Sequence, residues 1–130
     1  IRELIVLETL HFEIITGIQK GYENLIPNYK DTENVLSHLW QNNALAEYEK
    51  SNIYVSAVIK RCYTVYQEER GCPKGGERTV SISGVPIFQD TDNLNEWKEA
   101  VIRLAKKLKE DLEQEYMTCE FMKTELLSLE

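Results

Sequence analysis

The sequence predicts an α+β fold, one antiparallel sheet covered on a single face by two helices. Three observations carry this. Two segments, starting after Asp31 and Asn93, place apolar residues at helical spacing. Four other segments are short and rich in β-branched and aromatic residues, as strands are. Their order along the chain is β-α-β-β-α-β. With 130 residues, 42% apolar and 28% charged, residues 1–130 suffice for one core and are read as a single domain.

Leu4-Ile5-Val6-Leu7 opens an apolar run that continues through Leu10, Phe12, Ile14 and Ile15. Its β-branched and aromatic content points to a strand buried on both faces at its start, with a helix as the competing assignment. Gly17, Gly21 and Pro27 then break regular structure, so residues 17–30 are expected to form a loop. Asp31 suits an N-cap, because its carboxylate can accept the free amides of a first helical turn. Val35, Leu36, Leu39, Trp40, Leu45 and Tyr48 follow at roughly helical spacing, weakened by Asn42 and Asn43 and ended by Ser51-Asn52.

Residues 53–67 alternate. Ile53, Val55, Ala57, Ile59, Tyr63 and Val65 share one face, and Tyr54, Val58, Cys62 and Tyr66 the other. Large apolar groups on both faces exceed what a half-solvated strand needs. Arg78–Ile87 reads as the partner strand, with Val80 and Ile82 alternating against Thr79, Ser81 and Ser83 until Gly84 and Pro86 end it. The second helix has Asn93 and Glu96 in capping-box spacing and a stripe of Trp97, Val101, Leu104, Leu108 and Leu112. On its solvated side Glu99–Arg103, Lys106–Glu110 and Lys109–Glu113 stand at i,i+4. From Tyr116 the period returns to two: Met117, Cys119 and Phe121 mark a final strand, and Leu126, Leu127 and Leu129 extend it past an expected irregularity near Lys123.

This order resembles the ferredoxin-like arrangement, a split βαβ in which right-handed crossovers place the first and third strands in the middle of the sheet. The topology hosts many unrelated functions, so function has to be argued from residues. Fifteen basic against 22 acidic residues, net −7, argue against non-specific nucleic-acid binding and against an anionic membrane surface. No apolar run reaches the ~18 residues that span a bilayer, and Arg2, Glu3 and Glu8 interrupt any signal-peptide core. Three cysteines, Cys62, Cys72 and Cys119, lack metal spacing and read as reduced thiols of a cytoplasmic protein. Neither a Walker A loop nor a Gly-x-Gly-x-x-Gly turn is present, and no cofactor is expected.

The stretch Arg70-Gly71-Cys72-Pro73-Lys74-Gly75-Gly76-Glu77-Arg78 stands out in an acidic chain. Arg70, Lys74 and Arg78, with the amides of Gly75 and Gly76, have the chemistry of an anion-binding nest. The competing account is a hairpin turn whose glycines supply positive φ. His11 and Glu13 share a strand face, where a carboxylate can orient a general base; His38 has Asp31 and Asn34 on neighbouring turns. Cys72 lies between Arg70 and Lys74, which favour a thiolate. Tyr54, Tyr63, Tyr66 and Phe121 suggest a stacking platform, though core packing or a subunit interface accounts for them better. Glu110, Asp111, Glu113 and Glu115 form an acidic patch that can imitate nucleic-acid charge.

With no assembled catalytic set, the expectation is a non-enzymatic module that binds a partner protein or a small anionic ligand stoichiometrically. Its apolar outer sheet face, Tyr54, Val58, Cys62 and Tyr66, is expected to drive homo-oligomerisation. Two alternatives stand beside it: a small enzyme using His11 with Glu13, or Cys72, at a subunit interface, and an acidic inhibitor that mimics nucleic acid.

Overall fold

The computed structural model describes residues 5–18, 31–86 and 93–128. Strand β1 spans Ile5–Gly17, helix α1 Thr32–Ser51, β2 Val58–Thr64, β3 Glu77–Gly84, helix α2 Leu94–Asp111 and β4 Met117–Ser128, with a single 3-10 turn at Glu68–Arg70 between β2 and β3. The sheet order is β2-β3-β1-β4 and every neighbouring pair is antiparallel. The β-α-β-β-α-β order and the central placing of the first and third strands are therefore as the sequence predicts. β1 is a strand rather than a helix, and it pairs with β4 in unbroken register from Ile5↔Ser128 to Thr16↔Met117.

Alternation sorts the sheet into two faces. Phe12 and Ile14 of β1 and Val80 and Ile82 of β3 are fully buried against the helices. α2 meets them with Trp97, Ala100, Val101, Leu104, Ala105 and Leu108. α1 contributes Leu36, Trp40 and Ala44. Phe12 lies at the centre, its ring 6.0 Å from Trp40 in a stacked pair and 5.8 Å from Trp97. Trp97 also meets Phe121 edge-on at 6.3 Å. Cys119, on the same face, packs against this core. Burial pushes its thiol up to about 11, well out of the reactive range.

The helices are tied together by charge. Arg103 donates from Nε to Glu47 Oε1 at 2.7 Å and from Nη2 to Oε2 at 3.1 Å. Glu47 is 8% exposed and needs a partner that can come to it, and Glu99, one turn before Arg103, adds its charge to the guanidinium's surroundings. Asn43 is no weak point: its Nδ2 donates to Asp111 across the helix pair at 3.0 Å. Lys107 takes the other oxygen of Asp111, so that acid is committed within the fold and is not part of a free patch.

Several boundaries differ from expectation. β2 is half the length predicted, because residues 53–57 leave the ladder and enter the core: Ile53 and Val55 are buried, and the Val55 carbonyl accepts the Trp40 indole N–H at 3.0 Å. β4 runs through Lys123 without irregularity, paired with Leu10. Asp31 and Asn93 occupy the N-cap positions but neither side chain makes a capping bond, so the capping box is not formed. Gly21 and Pro27, and with them most of the expected loop 17–30, lie outside the described residues, as do Ile87 and Leu129.

The sheet face away from the helices is not the apolar surface expected. In register it carries Glu13 and Ile15 on β1, Thr79 and Ser81 on β3, Cys62 and Thr64 on β2, and Thr118 on β4. Val58 is on this face too, 54% exposed. Tyr54 is not: it precedes β2 and meets Tyr48 of α1 edge-on at 6.4 Å. Of the four residues credited to an apolar outer face, only Tyr54 leaves it; Val58 and Cys62 stay there among hydroxyls and carboxylates, and Tyr66 lines the same side.

Candidate functional site

The open face is concave at one end. There β1 and β2 finish while β3 and β4 begin, so the β2–β3 and α2–β4 connections rise side by side and wall a cavity of about 1120 Å³. Glu13, Ile15, Thr79, Ser81 and Thr118 form its floor. Tyr66 and Arg70 stand on one rim, and Gln114, Glu115 and Tyr116 on the other.

The β2–β3 connection is held by its own backbone. Gly71, Gly75 and Gly76 have φ of 101°, 90° and 103°, a region that suits glycine, and Gly76 N donates to Pro73 O at 2.9 Å. Cys72 turns inward, 6% exposed, its thiol 3.3 Å from the Pro73 carbonyl. It anchors the loop and offers no accessible nucleophile. The expected anion nest is not assembled at the cavity. Arg70 lines it, but Lys74, Gly75, Gly76 and Arg78 do not. Arg78 pairs with Tyr63 in register, on the opposite side of the sheet from Glu77 and Thr79.

Hydroxyls cover the floor. Thr64 Oγ1 and Thr79 Oγ1 are 3.0 Å apart, and Thr79 Oγ1 also donates to the Cys62 carbonyl at 3.3 Å. Ser81 Oγ donates to Glu13 Oε2 at 2.8 Å. Glu13 is thus held from β3, not oriented toward His11 as the His–Glu base reading requires. His11 shares the face but does not line the cavity, and its buried Nδ1 has no hydrogen-bond partner among the described residues. His38 is exposed on α1, its Nδ1 bonded to the Asn34 carbonyl at 2.7 Å.

On the rim, Tyr66 stands beside Glu77. Partial withdrawal from water, then the Glu77 carboxylate, raise the phenol's pKa. Tyr66 therefore keeps its proton at neutral pH. Gln114 is pinned by a bond from Nε2 to the Leu112 carbonyl at 3.0 Å. Its Oε1 and Glu77 Oε1 converge over Gly17, where an added Cβ would lie 2.9 Å from the first and 3.7 Å from the second. Glycine at the end of β1 is what lets the two walls meet.

Electrostatically the cavity suits a cation. Glu13, Glu77 and Glu115 line it, against Arg70 as the one Lys or Arg among the described lining residues. Tyr63, Tyr66 and Tyr116 add ring faces and edges that accept both a planar heterocycle and a positive charge. Among the residues singled out in the sequence, Arg70, Cys62 and Tyr66 come together here, with Tyr63 from the suggested platform. Tyr54 and Phe121 belong to the helix side, so that platform is not formed. Glu77, Thr79, Ser81, Gln114 and Tyr116 went unnoticed as a group. Their signal was parity: once the strand order is known, residues 13, 15, 62, 64, 77, 79, 81 and 118 must share a face.

The SAM lyase family profile matches residues 7–130. Two solved structures share the fold. A phage SAM lyase in complex with S-methyl-5'-thioadenosine is 20% identical, with a TM-score of 0.58 over 92% of this chain and 88% of that one. A phage SAM lyase in the apo state is 17% identical, with a TM-score of 0.56 over 93% and 89%. No curated protein matched. An enzyme family overturns the expected non-enzymatic binding module, and with it both the interface His/Glu or Cys enzyme and the nucleic-acid mimic. Absence of a familiar catalytic motif misled that expectation, because a site made of scattered hydroxyls and carboxylates on four strands leaves no contiguous signature. A match spanning nearly all the described residues leads to one conclusion: the chain belongs to the SAM lyase family.

Proposed function

We propose that the protein cleaves S-adenosylmethionine to S-methyl-5'-thioadenosine in the cavity on the open sheet face. The observation that carries this is the cavity's make-up: three carboxylates, three tyrosines and a single arginine, fitted to a substrate with a sulfonium, an ammonium and an aromatic base. A lyase adds no water, so the bond must break at the substrate's own expense. The substrate carboxylate oxygen bonds to Cγ, the S–Cγ bond breaks, and its electron pair stays on sulfur. The products are a neutral thioether and a five-membered lactone that keeps the ammonium. No proton, metal or redox partner enters the balance.

In that step a carboxylate and a sulfonium annihilate each other's charge, so it runs faster where water is sparse and neither charge is firmly clamped. A cavity with one arginine, at its rim, leaves the substrate carboxylate free to fold back on its own chain. Tyr66 on the rim, with Glu77 and Gln114 meeting over Gly17, supplies a wall that holds the substrate in that folded shape. Purified protein incubated with S-adenosylmethionine in ¹⁸O-water tests this by mass spectrometry. S-methyl-5'-thioadenosine should form together with an initially unlabelled lactone. Labelled open-chain product from the first turnover would indicate hydrolysis, and no thioadenosine would overturn the assignment.

We further propose a homo-oligomer in the cytoplasm. The exposed Val58 on edge strand β2 and the three cysteines, none in a disulfide among the described residues, support this. Sedimentation of wild type and Val58→Asp at micromolar concentration tests the assembly, and a strictly monomeric wild type would refute it. Among the described residues no helix is long and apolar enough to cross a membrane.

A further inference from the structure

We propose that Glu13, set in place by Ser81, is the residue that grips the substrate's ammonium group and so selects for an intact amino-acid tail. The inference rests on the lyase assignment above and deepens it. Glu13 occupies the central strand, on the floor of the cavity and away from its connecting loops. Ser81 Oγ donates to one of its oxygens at 2.8 Å, which fixes the carboxylate's direction, and the other oxygen has no hydrogen-bond partner among the described residues. An oriented, half-buried carboxylate with a vacant oxygen calls for an N–H donor. A sulfonium has none to give, whereas an ammonium has three.

The other two lining acids are placed differently. Glu77 stands at the edge of the floor, over Gly17 and beside Gln114, and Glu115 is exposed on the rim. The surroundings of Glu13 add to its pull on a cation. Glu120 stands directly opposite it in the β1–β4 ladder, and like charges so placed are unfavourable until a cation joins them. Lys60, beside Ser81 on β2, is exposed and forms no ion pair with either acid among the described residues. The sulfonium is left to the tyrosines, whose rings attract charge without donating or accepting a proton.

Calorimetric binding and steady-state rates of wild type, Glu13→Gln and Ser81→Ala test the contact, with three ligands: S-adenosylmethionine, its desamino analogue and S-methyl-5'-thioadenosine. Glutamine keeps the shape and the Ser81 bond, so melting temperatures should agree. Losing a charge-assisted bond should weaken S-adenosylmethionine binding about 10- to 100-fold. Ser81→Ala should weaken it several-fold. The desamino analogue and the thioadenosine, which carry no ammonium, should bind all three proteins within about twofold. Equal losses for every ligand, or unchanged S-adenosylmethionine binding by Glu13→Gln, would overturn the assignment. A wild type that binds S-adenosylmethionine but does not cleave it would remove the lyase activity and leave the ammonium contact readable from binding. A wild type that does not bind it refutes both.

Discussion

One methyl group placed at Gly17 separates the architecture of the cavity from the stability of the fold. Gly17 does not adopt a left-handed φ, so alanine fits the backbone, and a strand glycine replaced by alanine gains about 0.4–1 kcal/mol from the unfolded chain. Against this, the new Cβ would sit 2.9 Å from Gln114 Oε1, too close for the side chain to stay. Gln114 can swing away, because the clash is with the end of a side chain and not with backbone. Doing so sacrifices its bond to the Leu112 carbonyl, about 1 kcal/mol. The two effects cancel to within about 1 kcal/mol. Activity should not be spared. Gln114 and Glu77 meet over Gly17, and a wall displaced by about an ångström costs roughly tenfold or more in kcat/KM, equivalent to about 1.4 kcal/mol in the barrier. Urea denaturation and initial rates of thioadenosine release give the two numbers. A variant with an unchanged rate, or one that loses more than about 2 kcal/mol of stability, would refute the account of Gly17 as the meeting point of the cavity walls.

Gly84→Ala should do the opposite, since its Cβ would lie 2.5 Å from the Ser56 carbonyl oxygen and backbone must move; we expect a loss of about 2 kcal/mol and a melting temperature lower by roughly 6–10 °C, read by calorimetry. Tyr66→Phe removes a hydroxyl donor from a 40% exposed ring that lines the cavity, so thermal stability should hold while kcat/KM falls by about tenfold or more. Glu47→Gln should cost about 1 kcal/mol at neutral pH, discounted because Arg103 is half exposed. The Arg103 bonds hold the Glu47 pKa below its ordinary 4.5, so this stabilisation is complete above that value and lost as pH falls through the folded-state value. Wild type and variant stabilities, measured by urea denaturation from pH 7 to 3, should therefore converge in acid, and a constant difference would contradict the ion pair's role.

How far the fold was legible follows from where its signals are local. α2 announces itself because the stripe from Trp97 to Leu108 repeats without interruption. β2 was overextended because Ile53 and Val55 alternate just as a strand does; that they enter the core beside Trp40 depends on a helix partner that no window of sequence contains. The Asn43–Asp111 and Arg103–Glu47 bonds were hidden for the same reason, each joining residues of two helices. The loop 70–78 drew attention through its composition, yet only Arg70 of its cations faces the cavity. Glu77, inside that loop's span, matters through its place in the cavity lining and its approach to Gly17. The floor carries ordinary hydroxyl residues, Thr79 and Ser81 among them, whose meaning arises from the strands beside them.

The unbroken β1–β4 ladder has a consequence for how the protein comes into being. It joins the first and last described strands, whose paired residues are separated by roughly a hundred positions or more in sequence, a closure that is entropically slow. During synthesis β1 has to wait beside β3 with one edge bare until β4 leaves the ribosome. Glu13 and Ile15 are in place early, whereas Gln114, Tyr116 and Thr118 follow, so the cavity is completed in the same event that covers the β1 edge. A nascent chain short of β4 can hold a partial core and an exposed β1 edge, yet has no second wall to enclose a substrate. Completion of the cavity and cover for the β1 edge are then reached together, when β4 docks.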